Sequence, residues 1–198
     1  MLVFAKENLV FLAVPKTGTT AIEGALAPLA SIVMRDPPQI KHVPLYRYRR
    51  FMAPFLKAAG GIEPEICAMV RHPVDWLGSW YRYRQRDEIA EHENSTRGLS
   101  FDDFVTAYCS DDPPPFASVG SQARFLTDED GAATIDALYR YEARSSFIAF
   151  LENRLSTSIA LKNLNVSPKA KLSLTQRVLR RLVAERPEEF AIWESART

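Results

Sequence analysis

Cysteine is scarce in this chain: of 198 residues, only Cys67 and Cys109 carry a thiol. Two cysteines exclude a disulfide framework and a site built from several thiolates. Cys67 lies in an apolar run and reads as a small buried hydrophobe; nothing beyond the count speaks for a bond to Cys109. An excess of charge of one sign is equally absent, since 25 basic residues face 24 acidic ones for a net charge of +1. That balance argues against a non-specific nucleic-acid binder, which carries a strong basic excess. Long apolar runs are also missing. No stretch approaches the roughly 20 residues that cross a bilayer. Lys6, Glu7 and Asn8 interrupt the apolar segment Met1–Val14, and no small-residue cleavage site follows it. The expectation is a cytoplasmic protein with no membrane span.

What is present suits a packed globular chain. Hydrophobic residues make up 46% and charged residues 25%, enough for a real core. The length fits a single domain over 1–198, with elaborations near 35–64 and 85–120. The first holds four prolines in its opening twenty residues, and the second contains the proline-rich loop Asp111–Pro115. Strand and helix patterns alternate, as α/β folds require. Met1–Ala5 and Leu9–Val14 read as strands around a Lys-Glu-Asn turn. Ile22, Ala25, Leu26 and Leu29 follow at the spacing of one buried helix face. Ser31–Met34 predicts a short strand, and Ile66–Val70 a central strand covered on both faces. Pro73 suits a first helical position, and the pattern after it predicts a helix to about Ile89. Ser100 with Asp103, and Ser173 with Gln176, resemble capping boxes. Ile135–Tyr141 predicts another strand, with a helix through Phe147, Phe150, Leu151 and Leu155 behind it. Pro187 opens the last predicted helix.

Two motifs carry chemistry. Pro15-Lys16-Thr17-Gly18-Thr19-Thr20 sits between an apolar strand and an amphipathic helix. Such a loop aims the free N–H groups of a helix start at a bound anion. Gly18 permits close backbone approach, the threonines add hydroxyl donors, and Lys16 supplies a point charge. The lysine precedes the glycine, so this is not a Walker A loop, and an ATP or GTP hydrolase is disfavoured. A tight turn with a solvated lysine is the plain alternative. In the second motif, Arg71-His72-Pro73 closes a buried strand and Ser79 follows two turns into the next helix. An arginine fork and a hydroxyl suit a phosphate monoester, although Arg71 also reads as a structural ion-pair partner.

Together the motifs resemble the superfamily of sulfotransferases that use 3′-phosphoadenosine-5′-phosphosulfate (PAPS), closest to its carbohydrate-type and small bacterial members. Weaker similarity continues in Tyr139-Arg140-Tyr141-Glu142, in Leu164-Asn165-Val166-Ser167 and near Glu189-Phe190. The resemblance implies a P-loop-like, three-layer α/β domain with a mainly parallel central sheet flanked by helices. It implies that Lys16, Thr17, Gly18, Thr19 and Thr20 hold the 5′-phosphosulfate, while Arg71 and Ser79 hold the 3′-phosphate. PAPS is then the sulfuryl donor and 3′-phosphoadenosine-5′-phosphate (PAP) the product, with no metal required. The acceptor is a small molecule or glycan bearing a hydroxyl or amine, and nucleic acid is not a partner. A P-loop nucleotide kinase and a non-catalytic PAP-binding module are the competing readings.

In-line transfer to a hydroxyl needs a general base, for which histidine is the usual choice. His72 lies inside the 3′-phosphate motif and His92 in a polar run. His42, in Lys41-His42, falls where several members of the superfamily keep a catalytic histidine, so it is the preferred base. Glu23 is the rival, one helical turn beyond Thr19 on the same face. Its alternative role is a first-turn acid favoured by the helix dipole. Basic-aromatic stretches around Tyr46–Arg50 and Tyr81–Arg86 suit an anionic or sugar-like acceptor and equally a solvated face. Trp76 and Trp80, one helical turn apart, read as core.

Overall fold

The computed structural model describes residues 1–161 and 172–198. The segment Leu164–Ser167, which carried part of the resemblance, lies outside them. Five strands form one sheet: β1 (Leu2–Phe4), β2 (Leu9–Leu12), β3 (Ile32–Val33), β4 (Glu65–Val70) and β5 (Ala137–Arg140), in the order β3-β1-β2-β4-β5. β1 pairs antiparallel with β2 and β3, while β2–β4 and β4–β5 are parallel. The sheet is therefore mixed. In direction, β1 alone runs against the other four, because the tight turn after Phe4 sends the chain straight back along itself.

Alternation along the strands assigns side chains to two faces. Val3, Val10, Leu12, Ile66, Ala68, Val70 and Leu138 enter one cluster; Leu2, Phe4, Leu9, Phe11, Cys67, Met69 and Tyr139 enter the other. Helix α1 (Thr19–Leu26) covers the second face with Ile22 and Leu26. It is joined there by the helix of Arg144–Leu155, through Phe147 and Leu151. The opposite face is covered from 35–64, which folds into α2 (Pro38–Lys41), α3 (Leu45–Arg47), a π-turn (Tyr48–Met52) and α4 (Ala53–Gly60). Leu45, Tyr48 and Leu56 from these turns are buried against the sheet. Each such aliphatic or aromatic side chain removed from water contributes about 1.5–3 kcal/mol. Helices thus flank the sheet on both faces.

A third cluster lies beside the sheet, between α5 (Pro73–Tyr83), α6 (Phe101–Tyr108) and the helix Gln176–Glu185. α5 stops at Tyr83, six residues short of the predicted end. The carbonyls that would carry the helix onward are taken from elsewhere: the Thr96 hydroxyl donates to Tyr81 O at 2.8 Å and Thr96 N to Arg84 O at 3.1 Å. Only a short 3-10 turn, Asp87–Ile89, remains of the predicted last turns. Ser100 and Asp103 form the expected reciprocal box. The other expected box does not cap its helix. Thr175 is the cap, held by two hydrogen bonds to the Asp102 carboxylate (2.9 and 2.7 Å), and its hydroxyl accepts from Val178 N. Completing the set are α7 (Gln122–Phe125), α8 (Arg144–Leu155), α9 (Gln176–Glu185) and α10 (Pro187–Glu194). Among the described residues, no helix is long and apolar enough to cross a membrane.

Candidate functional site

The carboxyl ends of β2, β4 and β5 share one edge of the sheet, where open α/β folds bind ligands. The loop after β2 turns sharply there. Lys16 (φ 67°) and Gly18 (φ 74°) both adopt left-handed backbone. A side chain at Gly18 would also crowd Tyr141, whose Cε2 would stand 3.2 Å from the added carbon. The Thr17 hydroxyl donates to Val14 O at 2.9 Å and shapes the loop, while Thr19 is buried where α1 starts. No side chain caps α1, so its first N–H groups face the loop without a side-chain acceptor.

Lys16 rests on two aromatic rings of α5. Its Nζ lies 3.8 Å from the Tyr83 ring centre and 4.8 Å from that of Trp80. Such contacts stabilise an ammonium by about 0.5–2 kcal/mol. Trp80 therefore does more than fill the core, in contrast to Trp76, which is fully buried and donates from Nε1 to Pro15 O at 3.0 Å. Burial, and then the charges of Arg86, Arg71, Arg84 and Arg82, pull the Lys16 ammonium down to about 7. Among the described residues, no carboxylate forms a salt bridge with Lys16, Arg71, Arg82, Arg84 or Arg86. Asp75 and Glu142 stand at the same end of the molecule without pairing with these five cations, which outnumber them.

Arg71, the residue after β4, joins the two motifs. Its Nη1 donates to Lys16 O at 3.4 Å, and its guanidinium stacks 4.6 Å from the Tyr141 ring centre. Its backbone is clasped from both sides by one amide: Arg71 N donates to Gln122 Oε1, and Gln122 Nε2 donates to Arg71 O, each at 2.9 Å. Gln122 N in turn donates to the buried Glu189 carboxylate at 3.2 Å. The next residue is secured likewise, with His72 N and Trp193 Nε1 donating to the two oxygens of Glu142 at 2.9 and 3.0 Å. The His72 ring stands edge-on to Trp193 and Phe190, which makes it a packing residue. Beside Arg71 opens a pocket of about 360 Å³ lined by Asp75, Tyr141, Glu142, Arg144 and Ser145. Ser79 is buried on α5.

His42 reaches the same loop. Its Nδ1 lies 2.6 Å from Ala13 O. A carbonyl only accepts, so Nδ1 carries the proton and Nε2 keeps its lone pair. Burial lowers the His42 pKa against the opposing pull of the Ala13 bond, leaving the ring neutral at neutral pH. Glu23 is placed differently. Arg35 Nε and Lys41 Nζ hold its carboxylate at 2.6 and 2.8 Å. Burial pushes this carboxyl up, yet the two cations outweigh it and keep its pKa below the ordinary value. Lys41 also donates to the Thr20 hydroxyl at 3.4 Å.

No protein-family model, curated protein or solved structure matches this chain. Gln122 belongs to the site, and no motif in the sequence marked it; Tyr141 and Glu142 entered only through the weaker similarity around Tyr139–Glu142, and Tyr83 only within the basic-aromatic stretch Tyr81–Arg86. Gln122 and Glu142 serve Arg71 and His72 across more than fifty residues of chain, a separation that no local pattern records.

Proposed function

We propose that this chain is a PAPS-dependent sulfotransferase with a P-loop-like phosphate site, acting in the cytoplasm on a hydroxyl or amine of a small molecule or glycan. The observation that carries the reading is the meeting of a neutral imidazole with a loop whose lysine has no salt-bridge partner among the described residues. His42 is bonded to Ala13, where the loop begins, and Lys16 in the same loop accepts at its backbone carbonyl from Arg71. A base for the acceptor and charge for the leaving group thus converge on one short segment.

When bound, PAPS supplies a sulfuryl group on a good leaving phosphate. His42 Nε2 takes the proton of the acceptor hydroxyl as the new oxygen–sulfur bond forms. Lys16 and the loop N–H groups stabilise the charge left on the departing phosphate oxygen as the old sulfur–oxygen bond breaks. Arg71 and Ser79 hold the 3′-phosphate. The flat Tyr141 ring, beside Arg71 and lining the 360 Å³ pocket, offers a stacking surface for the nucleoside. Glu23, spent between two cations, serves to fix Lys41 rather than to accept a proton.

Thermal unfolding with added nucleotide tests this directly. PAP at a hundredfold excess over its Kd should stabilise the protein by about 2.7 kcal/mol, and ATP with Mg²⁺ should do so far less. Equal stabilisation by both would overturn the reading in favour of a kinase. Transfer of labelled sulfate from PAPS across a panel of sugars, phenols and amines then separates an enzyme from a binding module.

A further inference from the structure

Buried donors without acceptors cluster on one stretch of this chain. Among the described residues, four buried side-chain N or O atoms have no hydrogen-bond partner: Glu23 Oε2, Arg71 Nε, Trp80 Nε1 and Arg82 Nε. Glu23 Oε2 is ion-paired with Lys41, so its charge is met. The remaining three are N–H donors, all between the end of β4 and the last turn of α5. A buried donor left unpaired is costly to the fold, and three on one strand end and the helix after it point to an acceptor from outside the fold.

Arg82 is the member of this group with no role so far. It lies three residues past Ser79 and four past Gly78, on one face of α5. Long helical side chains lean toward the helix N-terminus, and Arg82 does so: a carbon added to Gly78 would stand 3.5 Å from its Nη1. The guanidinium thus lies one turn back along the helix, at the level of Gly78, where Leu172 Cδ1 would be the close neighbour of an added carbon at 2.8 Å, and on the face that carries Asp75, which lines the pocket beside Arg71. Burial, and then the charge of Arg71, disfavour its protonated form, with Asp75 opposing. Neither arginine has a salt bridge among the described residues. Two guanidiniums that feel each other's charge, each with an unpaired buried Nε–H, form a receptor for a dianion.

We propose that Arg82 is a second guanidinium for the phosphate monoester held by Arg71, and that it makes the site select a dianionic monoester over a hydroxyl at that position. The inference rests on the PAPS reading, in which this group is the 3′-phosphate.

Calorimetric titration of PAP and of adenosine 5′-monophosphate, at fixed ionic strength, tests it on the wild type, Arg82→Gln and Arg82→Lys. Arg82→Gln should weaken PAP by about tenfold to a hundredfold and leave the monophosphate within about twofold. Arg82→Lys should restore part of the preference, because a point charge replaces a fork. A wild-type preference for PAP that survives Arg82→Gln intact overturns the inference alone. A wild type without preference overturns the donor reading and the inference with it. Should Arg82→Gln fail to fold, Arg82→Lys carries the test, and an unchanged preference in that variant is the refuting result.

Discussion

In the proposed reaction Lys16 and His42 divide the chemistry, and burial displaces the proton affinities of both downward. Burial lowers the His42 pKa below its ordinary 6.5, and burial among arginines pulls Lys16 down to about 7. On the proposed function, productive encounter with PAPS needs His42 neutral and Lys16 charged. The kcat/KM for PAPS, which reports the free enzyme, should therefore be bell-shaped. Its rising limb should lie below pH 6.5 as His42 sheds its proton, and its falling limb near pH 7 as Lys16 loses its own. His42→Ala should cost about 10²–10⁴ in turnover while PAP affinity, read by calorimetry, stays at the wild-type value. Glu23→Gln should show the opposite balance, with a lower melting temperature from the broken pairs to Arg35 and Lys41 and a milder loss of rate. A silent His42→Ala beside an inactive Glu23→Gln would transfer the base to the carboxylate.

Helices in this fold begin where local chemistry says and end where tertiary contacts allow. Pro73 and Pro187 occupy first helical positions, and Ser100 with Asp103 closes a reciprocal box on α6. Ser100→Ala should cost about 1 kcal/mol of stability, seen as a lower denaturant midpoint with an unchanged slope, and PAP affinity should not move. The end of α5 obeys a different rule. Thr96 takes two of its terminal carbonyls, and the buried Arg84 side chain donates to Pro115 O and Ser118 O at 2.6 and 3.1 Å. The helix that carries Ser79, Trp80 and Arg82 is thereby locked to the 85–120 segment, which fixes the length of the cationic face.

Across the whole molecule, one buried polar chain ties the carboxyl-terminal helix to the ligand edge. Glu189 on α10 accepts from Gln122 at the start of α7, and Gln122 clasps both backbone groups of Arg71. Gln122→Leu keeps the bulk and strips both hydrogen bonds. It should destabilise by about 1–3 kcal/mol and weaken PAP more than adenosine 5′-monophosphate, since Arg71 would lose its anchor. Equal weakening of the two ligands in calorimetry would mean that Gln122 supports the fold without positioning Arg71.

Much of this architecture was legible in the residues themselves. Strand alternation, the glycine of the tight loop after β2, the prolines at helix starts and the Ser100 box act over a few residues, so their signals survive in sequence order. The sequence likewise placed Lys16 and Arg71 after buried strands, the position from which side chains reach the ligand edge. Tertiary structure alone decided the rest: that His42 bonds Ala13 rather than solvent, that Glu23 is consumed by Arg35 and Lys41, and that Lys16 sits on Tyr83. It also decided that Gln122 holds Arg71. These contacts close loops of 29, 51 and 55 residues for His42–Ala13, Gln122–Arg71 and Arg71–Lys16. Their formation depends on how layers pack around the sheet, and no local periodicity encodes that.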